Sequence, residues 1–323
     1  MPVLDYETIR ETLHGVLCKF GFREPDAGWI ATLCADNSCA GVASHGVHWF
    51  PGLIGRTERG QVDKDAEAVC EASLGALERW DGRHAPGPVT ARRATDRAIE
   101  LAGASGVGAV AVRNTNHWAR PGWYGAHAAG KGFGLICWTN TVPNMPAEGS
   151  AVPSLGNNPI VIAVPGNPAP VVTDIAMSQF SYGRLNEYAA RGEPLPVVGG
   201  CDIEGNPSRD AAAILKSGRL LPVGYWKGTA LSFALDVLAA SLSGGACTAE
   251  VSARGEKGVS QVFVAFVIES DHGAHVLSTA SGLVKAAGNS RYPGEGSYAT
   301  YMDRRRNGVP VDDEVWERIL GWA

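Results

Sequence analysis

Apolar positions at the start of the chain recur with helical spacing. Ile9, Leu13, Val16, Leu17 and Phe20 fall on one stripe, Asp5 precedes them as a cap, and Gly21 follows as a stop, so the pattern predicts a first helix. Pro25 suits the first turn of a second helix running toward Ala40, and residues 47–59, ended by Gly60, predict a third. From about residue 66 the period shortens. Residues 66–73 and 76–80 read as short strands, 89–104 as a helix closed by Gly106, and 107–112 as a buried strand. Residues 122–129 look helical, while 133–139 and 160–164 are apolar and β-branched enough for two more strands. Further helices are expected at 178–190 and 229–243, a strand at 259–268, and a terminal helix at 312–322.

Helix and strand alternate through the middle of the chain, which predicts an α/β fold with a central domain over 70–275. Residues 1–69 and 276–323 are then expected to form a helical layer made from both chain ends. The connection over 141–159 is polar, proline-rich and longer than compact domains usually carry without a functional reason, so it is a candidate site loop.

Composition narrows the function classes. With 323 residues, 45% of them hydrophobic and 19% charged, the chain can bury a sizeable core, which excludes disorder and collagen. The formal charge of -5 supplies no basic field for phosphate backbones, so a small molecule is expected as partner and nucleic acid is not. No run approaches the roughly 20 apolar residues of a membrane helix. The beginning, MPVLDYETIRETLHG, carries acids early and lacks a basic leader, which predicts a cytoplasmic chain without membrane attachment. Seven scattered cysteines fit reduced thiols better than a disulfide framework. His14, Cys18, Cys34 and Cys39 can be grouped as a metal quartet, but Cys34 and Cys39 lack the tight CxxC spacing of structural zinc sites, and no metal is expected.

Among the eight histidines, context raises two. His45 lies in Ala43-Ser44-His45-Gly46-Val47, where Ser44 can cap a following helix and Gly46 leaves the imidazole unobstructed. An imidazole with an ordinary pKa near 6.5 exchanges a proton around neutrality, as carbonyl reduction requires. The bland alternative is a capping serine beside a surface histidine. A serine-hydrolase reading is weaker, because no GxSxG elbow surrounds Ser44. His117 directly follows a strand, where open α/β sheets place ligand-binding groups. Nearby Arg120 can hold a carboxylate through a forked hydrogen bond. Asp174 closes the strand-like run Val171-Val172-Thr173, able to orient an imidazole or to cap a following helix. Gly224-Tyr225-Trp226-Lys227-Gly228 opens a helix, and its amides with Lys227 favour an anion such as a pyrophosphate. Neither GxGxxG nor GxxxxGK(S/T) occurs, which disfavours an ordinary Rossmann dehydrogenase.

Taken together, ordered blocks along nearly the whole chain resemble the type 2 malate/L-lactate dehydrogenase family, most closely its 2,3-diketo-L-gulonate reductase branch. They are SHGV at 44–47, NTNHWARPGWYG at 114–125, ICWTN at 136–140, NPIVIAVP at 158–165, SQFSYG at 178–183, GYWKG at 224–228, GVSQVF at 258–263 and RRRNG at 304–308. The resemblance implies a nicotinamide-binding domain that is not Rossmann, built on a mixed sheet. It also implies reduction of a 2-keto acid, 2,3-diketo-L-gulonate among the candidates, by NADH, with NADPH left open. By the same resemblance His45 is the proton donor with Ser44 beside it, His117 lies in the substrate pocket, and the enzyme is a homodimer. Residues Val171, Val172, Thr173, Asp174, Ile175 and Ala176, the pair Trp226 and Lys227, and the turn Gly294, Glu295 and Gly296 match cofactor-contacting segments.

Three departures bear on substrate. Where the family pattern SHGVxRxP places an arginine, this chain reads Ser44-His45-Gly46-Val47-His48-Trp49-Phe50-Pro51, so Trp49 alters the pocket, and either Arg120 or His48 must assist or the substrate must differ. Asn157 replaces a usual threonine, and 269–290 is shorter than in the similar branch. Two other readings stay open: a reductase of cyclic imine carboxylates such as pyrroline- or piperideine-2-carboxylate, and a non-catalytic dinucleotide binder.

Overall fold

The computed structural model describes residues 1–251, 257–288 and 290–323. Its helical start follows the apolar stripe. In α1 (Tyr6–Lys19) the Asp5 carboxylate accepts from Thr8 N, and Ile9, Leu13, Val16 and Leu17 are buried. The second helix, α2 (Glu24–Cys39), carries Pro25 in its first turn. The third, α3 (Phe50–Glu58), begins three residues later than the pattern predicts, because Ala43–His45 form a 3-10 turn instead.

A seven-stranded sheet forms the centre. Its strands are β1 (Val69–Leu74), β2 (Leu77–Asp81), β3 (Val107–Thr115), β4 (Phe133–Thr139), β5 (Ile160–Val164), β6 (Val171–Ile175) and β7 (Val259–Val267). They lie in the order β1-β2-β3-β7-β4-β5-β6. Among the described residues only β2 and β3 pair in parallel, joined by α4 (Gly87–Ser105), and every other neighbour in this sheet is antiparallel. A dinucleotide fold of the doubly wound kind needs successive parallel strands with glycine-rich turns at their ends. This mixed sheet has no such series, which accounts for the absent fingerprint.

Between β3 and β4 runs α5 (Gly122–Gly130), and α6 (Tyr182–Arg191) and α7 (Ala211–Ser217) flank a small three-stranded sheet. Then come α8 (Trp226–Ser243), α9 (Ser270–Ala286), α10 (Glu295–Asn307) and α11 (Asp313–Leu320). Side chains alternate across β7: Phe263 and Ala265 pack with Ala94 and Ala98 of α4 and Ala128 of α5, while Val262 packs with Leu235 and Ala239 of α8. Both faces of this strand are covered, which explains its continuous apolar run. The chain ends are knitted together, Val3 and Leu4 pairing antiparallel with Pro310 and Val309.

Some boundaries differ from expectation. The helix expected from residue 178 starts at Tyr182, capped by Ser181, because Ser178 is engaged in a bridge to Pro222. The helix expected from 229 starts at Trp226. Both α9 and α10 lack a buried residue, so no apolar stripe announces them.

Candidate active site

The turn carrying His45 is stitched to α2. A Cβ on Gly46 would lie 2.2 Å from Ser38 Oγ, so the chain passes here only as glycine. Ser38 Oγ donates to Cys34 O at 2.9 Å and accepts from Val47 N at 3.0 Å, while Asn37 Nδ2 donates to His45 O at 3.0 Å. Gly46 therefore serves this close approach rather than clearing space for the imidazole. Ser44 caps no helix. Its Oγ meets His45 Nδ1 at 3.1 Å, and both residues line a cavity of about 360 Å³.

Across that cavity stands His117, just past the end of β3. The rings of His45 and His117 stack with centroids 5.7 Å apart and planes 22° from parallel. His117 Nδ1 accepts from Trp49 Nε1 at 3.1 Å and from Ala119 N at 3.0 Å. Burial pushes the His117 pKa down to about 3, and the Arg56 guanidinium adds to the fall. The ring is neutral at physiological pH, and with Nδ1 accepting, its proton sits on Nε2. Trp49 is thus buried behind His117 instead of lining the cavity, whereas His48 is exposed and lies outside the lining.

Arg120 and Asp174 form the third wall. Asp174 Oδ2 accepts from Gly122 N at 2.9 Å and lies 3.7 Å from Arg120 Nε. Burial raises the Asp174 pKa, and the Arg120 charge and the Gly122 amide hold it back. Burial likewise lowers that of Arg120, opposed by Asp174. Asp174 belongs to β6 and caps no helix. Strand alternation puts Val172, Asp174 and Ala176 on the cavity, and Val171, Thr173 and Ile175 on the opposite face.

A second cavity of about 440 Å³ adjoins the first and shares Arg120, Val172 and Ser297 with it. Its wall includes the turn that opens α10. Val172 N donates to Pro293 O at 3.0 Å, and Gly294, at φ +96°, lies so close to β6 that a Cβ would sit 2.8 Å from both Pro170 O and Val172 N. Glu295, the first residue of α10, pairs with Lys285 at 2.8 Å, and Gly296 follows it in the helix. Two segments expected to hold a cofactor, 171–176 and 294–296, therefore meet. The third does not join them: Trp226 lines a separate groove of about 640 Å³ with Tyr225, Val197 and Val198, and Lys227 is exposed beside it.

Several lining residues lie outside the set of site residues read from the sequence. Thr141, Asn157 and Pro159 come from the connection singled out as a site loop, where Asn157 Oδ1 accepts from Thr141 Oγ1 at 3.0 Å and Asn144 Nδ2 at 3.1 Å. Gln261 is buried in β7, with Nε2 donating to Asn116 O at 3.0 Å. A lone amide inside VSQVFVAFV is the signal that could have pointed to it. Among the described residues no three His, Cys, Asp or Glu side chains are grouped to hold a metal ion, the grouping of His14, Cys18, Cys34 and Cys39 included. Cys18 Sγ lies 3.5 Å from His14 Nε2, while Cys34 and Cys39 are buried in α2.

Comparison with known proteins decides the family. Residues 4–320 match the family described as malate/L-lactate dehydrogenase. The chain belongs to the malate/L-lactate dehydrogenase family. Similar members include 2,3-diketo-L-gulonate reductase of Citrobacter koseri, 41% identical over 326 residues that cover 97% of this chain and 98% of the relative. The enzyme of that name from Pasteurella multocida is 40% identical over 328 residues, covering 98% of each. Among solved structures, delta1-piperideine-2-carboxylate reductase of Pseudomonas syringae superposes with a TM-score of 0.91 at 25% identity, covering 100% of both chains. Sulfolactate dehydrogenase of Methanocaldococcus jannaschii superposes with a TM-score of 0.88 at 28% identity, covering 99% of this chain and 96% of the other. Like other members of the malate/L-lactate dehydrogenase family, the chain is an oxidoreductase, and no described helix is long and apolar enough to cross a membrane.

Proposed function

We propose that the protein reduces the carbonyl of a 2-keto acid to the 2-hydroxy acid, with NADH as reductant and 2,3-diketo-L-gulonate the first candidate substrate. One observation carries this reading: His45, His117 and Arg120 border a single cavity of about 360 Å³, large enough for a small acid. Arg120 would grip the substrate carboxylate, and Asp174, hydrogen-bonded to the Gly122 amide, would set where that guanidinium stands. His45 would protonate the carbonyl oxygen as negative charge develops on it. With Nδ1 at Ser44 Oγ, Nε2 is the nitrogen that exchanges the proton.

The adjoining cavity of about 440 Å³ fits a nicotinamide dinucleotide. Its wall pairs apolar Val172, Pro168 and Pro170 with Arg120, and a Cβ on Gly294 would narrow it. A reduced nicotinamide bound there supplies hydride to the carbonyl carbon. NADH suits it better than NADPH because the Asp36 carboxylate on the same wall opposes an added phosphate. The division into 1–69 with 276–323 and 70–275 would set the site at the seam, His45 and Ser297 from one part and Arg120 and Asp174 from the other. We also infer a homodimer in the cytoplasm, in keeping with the apolar outward face of α8.

Trp49 in the arginine position and the likeness to a piperideine-2-carboxylate reductase favour a second reading, reduction of a cyclic imine carboxylate. Loss of absorbance at ~340 nm with NADH or NADPH against keto acids and cyclic imines separates the two. Replacing His45 by Ala should lower kcat by about 10² to 10⁴ and leave the dinucleotide Kd nearly unchanged. Unchanged turnover removes His45 from the chemistry, and dinucleotide binding without turnover on either panel means a non-catalytic binder.

A further inference from the structure

The indole of Trp49 occupies the place where the family pattern carries a guanidinium, and its contacts give it a different task. Its N–H donates to His117 Nδ1 at 3.1 Å, with the rings 5.9 Å apart. The second donor to that nitrogen, Ala119 N at 3.0 Å, is aimed there by a backbone in the left-handed region, φ +62°. A non-glycine residue held at positive φ costs about 1 kcal/mol and persists only where the surroundings enforce it. A ring nitrogen that accepts from two N–H donors cannot itself carry a proton, so the imidazole is left with a single tautomer.

We infer that Trp49 is a positioning residue for substrate recognition: with the Ala119 amide it fixes His117 as an uncharged Nε2–H donor to the substrate, replacing the charged contact of the arginine-bearing pattern. This rests on the keto-acid reading above and deepens it. Arg120 is then the cation for one carboxylate, and the substrate's neighbouring group meets a neutral donor. Such a site selects monocarboxylic 2-keto acids whose next carbon bears a carbonyl or hydroxyl oxygen, and it disfavours dicarboxylates, whose second charge would be buried without a counter-ion. Charged and titratable groups around His117 include His45 stacked on it, Arg56 from α3 above the Trp49 ring at 5.6 Å, and Arg120 and Asp174 on the same cavity. Arg56 opposes a second positive charge on His117, which reinforces the neutral state.

The test reads the ring directly. In protein labelled with ¹⁵N-histidine, the signals that vanish in His117→Gln should show an unprotonated Nδ1 and a protonated Nε2 that do not titrate between about pH 5 and 8. In Trp49→Phe, where Nδ1 loses the indole donor, the Nδ1 and Nε2 signals should shift toward those of the other neutral tautomer, and kcat/KM for a monocarboxylic keto acid should fall about tenfold. In Trp49→Arg the ratio of kcat/KM for oxaloacetate to that for 2,3-diketo-L-gulonate should rise about tenfold. A native His117 protonated on Nδ1, or titrating near its ordinary value, overturns the inference even if Trp49→Phe fails to fold. So does a Trp49→Phe variant whose nitrogen spectrum and kcat/KM match the native ones. The nitrogen spectrum is recorded without substrate, so inactivity on keto acids sinks only the functional reading.

Discussion

The two imidazoles of the cavity are the same side chain put to different uses by what faces their nitrogens. His45 Nδ1 meets a hydroxyl, which can donate or accept, whereas His117 Nδ1 meets two N–H groups, which can only donate. A proton can therefore pass through the first ring and not the second. Arg120 carries the other specific demand. A guanidinium offers a fork of donors that a lysine cannot copy, so Arg120→Lys should raise KM for the keto acid about 10- to 100-fold while kcat changes little. Steady-state kinetics with NADH saturating checks this, and an unaltered KM would show that the carboxylate is anchored elsewhere.

Between elements, the strap that joins α4 to α5 behind the second cavity predicts a pH dependence. Asp96 accepts from His127 Nε2 at 2.7 Å and from Lys131 Nζ at 2.6 Å. Burial pushes its pKa up, but the bonds and charges of His127 and Lys131 outweigh burial and hold it well below the ordinary 3.8. A carboxylate depressed on folding stabilises the fold fully above its unfolded value and less as pH falls below it. Asp96→Asn should cost about 1–2 kcal/mol at neutral pH. The gap between native and variant in urea unfolding should shrink steadily below about pH 4, and a gap that stays constant would show that the charge contributes nothing.

The elements themselves were legible where one face is buried. The stripe from Ile9 and its Asp5 cap delivered α1, and the apolar run of β7 delivered a doubly covered strand. Local pattern failed where a distant contact prevails. Ser44 looks like a helix cap, yet the approach of Gly46 to Ser38 holds a 3-10 turn there and frees the hydroxyl for His45. The motif residues His45, His117, Arg120 and Asp174 were legible as chemistry, while Trp49 read as an intruder. Its placement behind His117 follows from tertiary packing that spans 68 residues of sequence and that no local spacing encodes.

At the scale of the whole molecule, α8 is the element whose exposure is out of keeping with its composition. Leu235 and Ala239 face the sheet, but Trp226, Leu231, Phe233, Val237 and Leu238 are 44% to 59% exposed on the other side. Apolar surface of this extent usually marks an interface. It also bears on Trp226 and Lys227, which the family resemblance led us to expect at the cofactor yet which line neither of the two adjoining cavities. A second copy packed along α8 would cover the apolar stripe and would give these two residues access to a neighbour's dinucleotide. Phe233→Glu places a carboxylate in the middle of that stripe, where burial against the partner would cost several kcal/mol. Sedimentation of the variant should show the mass of one chain, and its NADH affinity should fall together with dimerisation. A native protein that sediments as a single chain at all concentrations would remove the interface, and a monomeric variant with native NADH affinity would keep the interface but return the cofactor to one subunit alone.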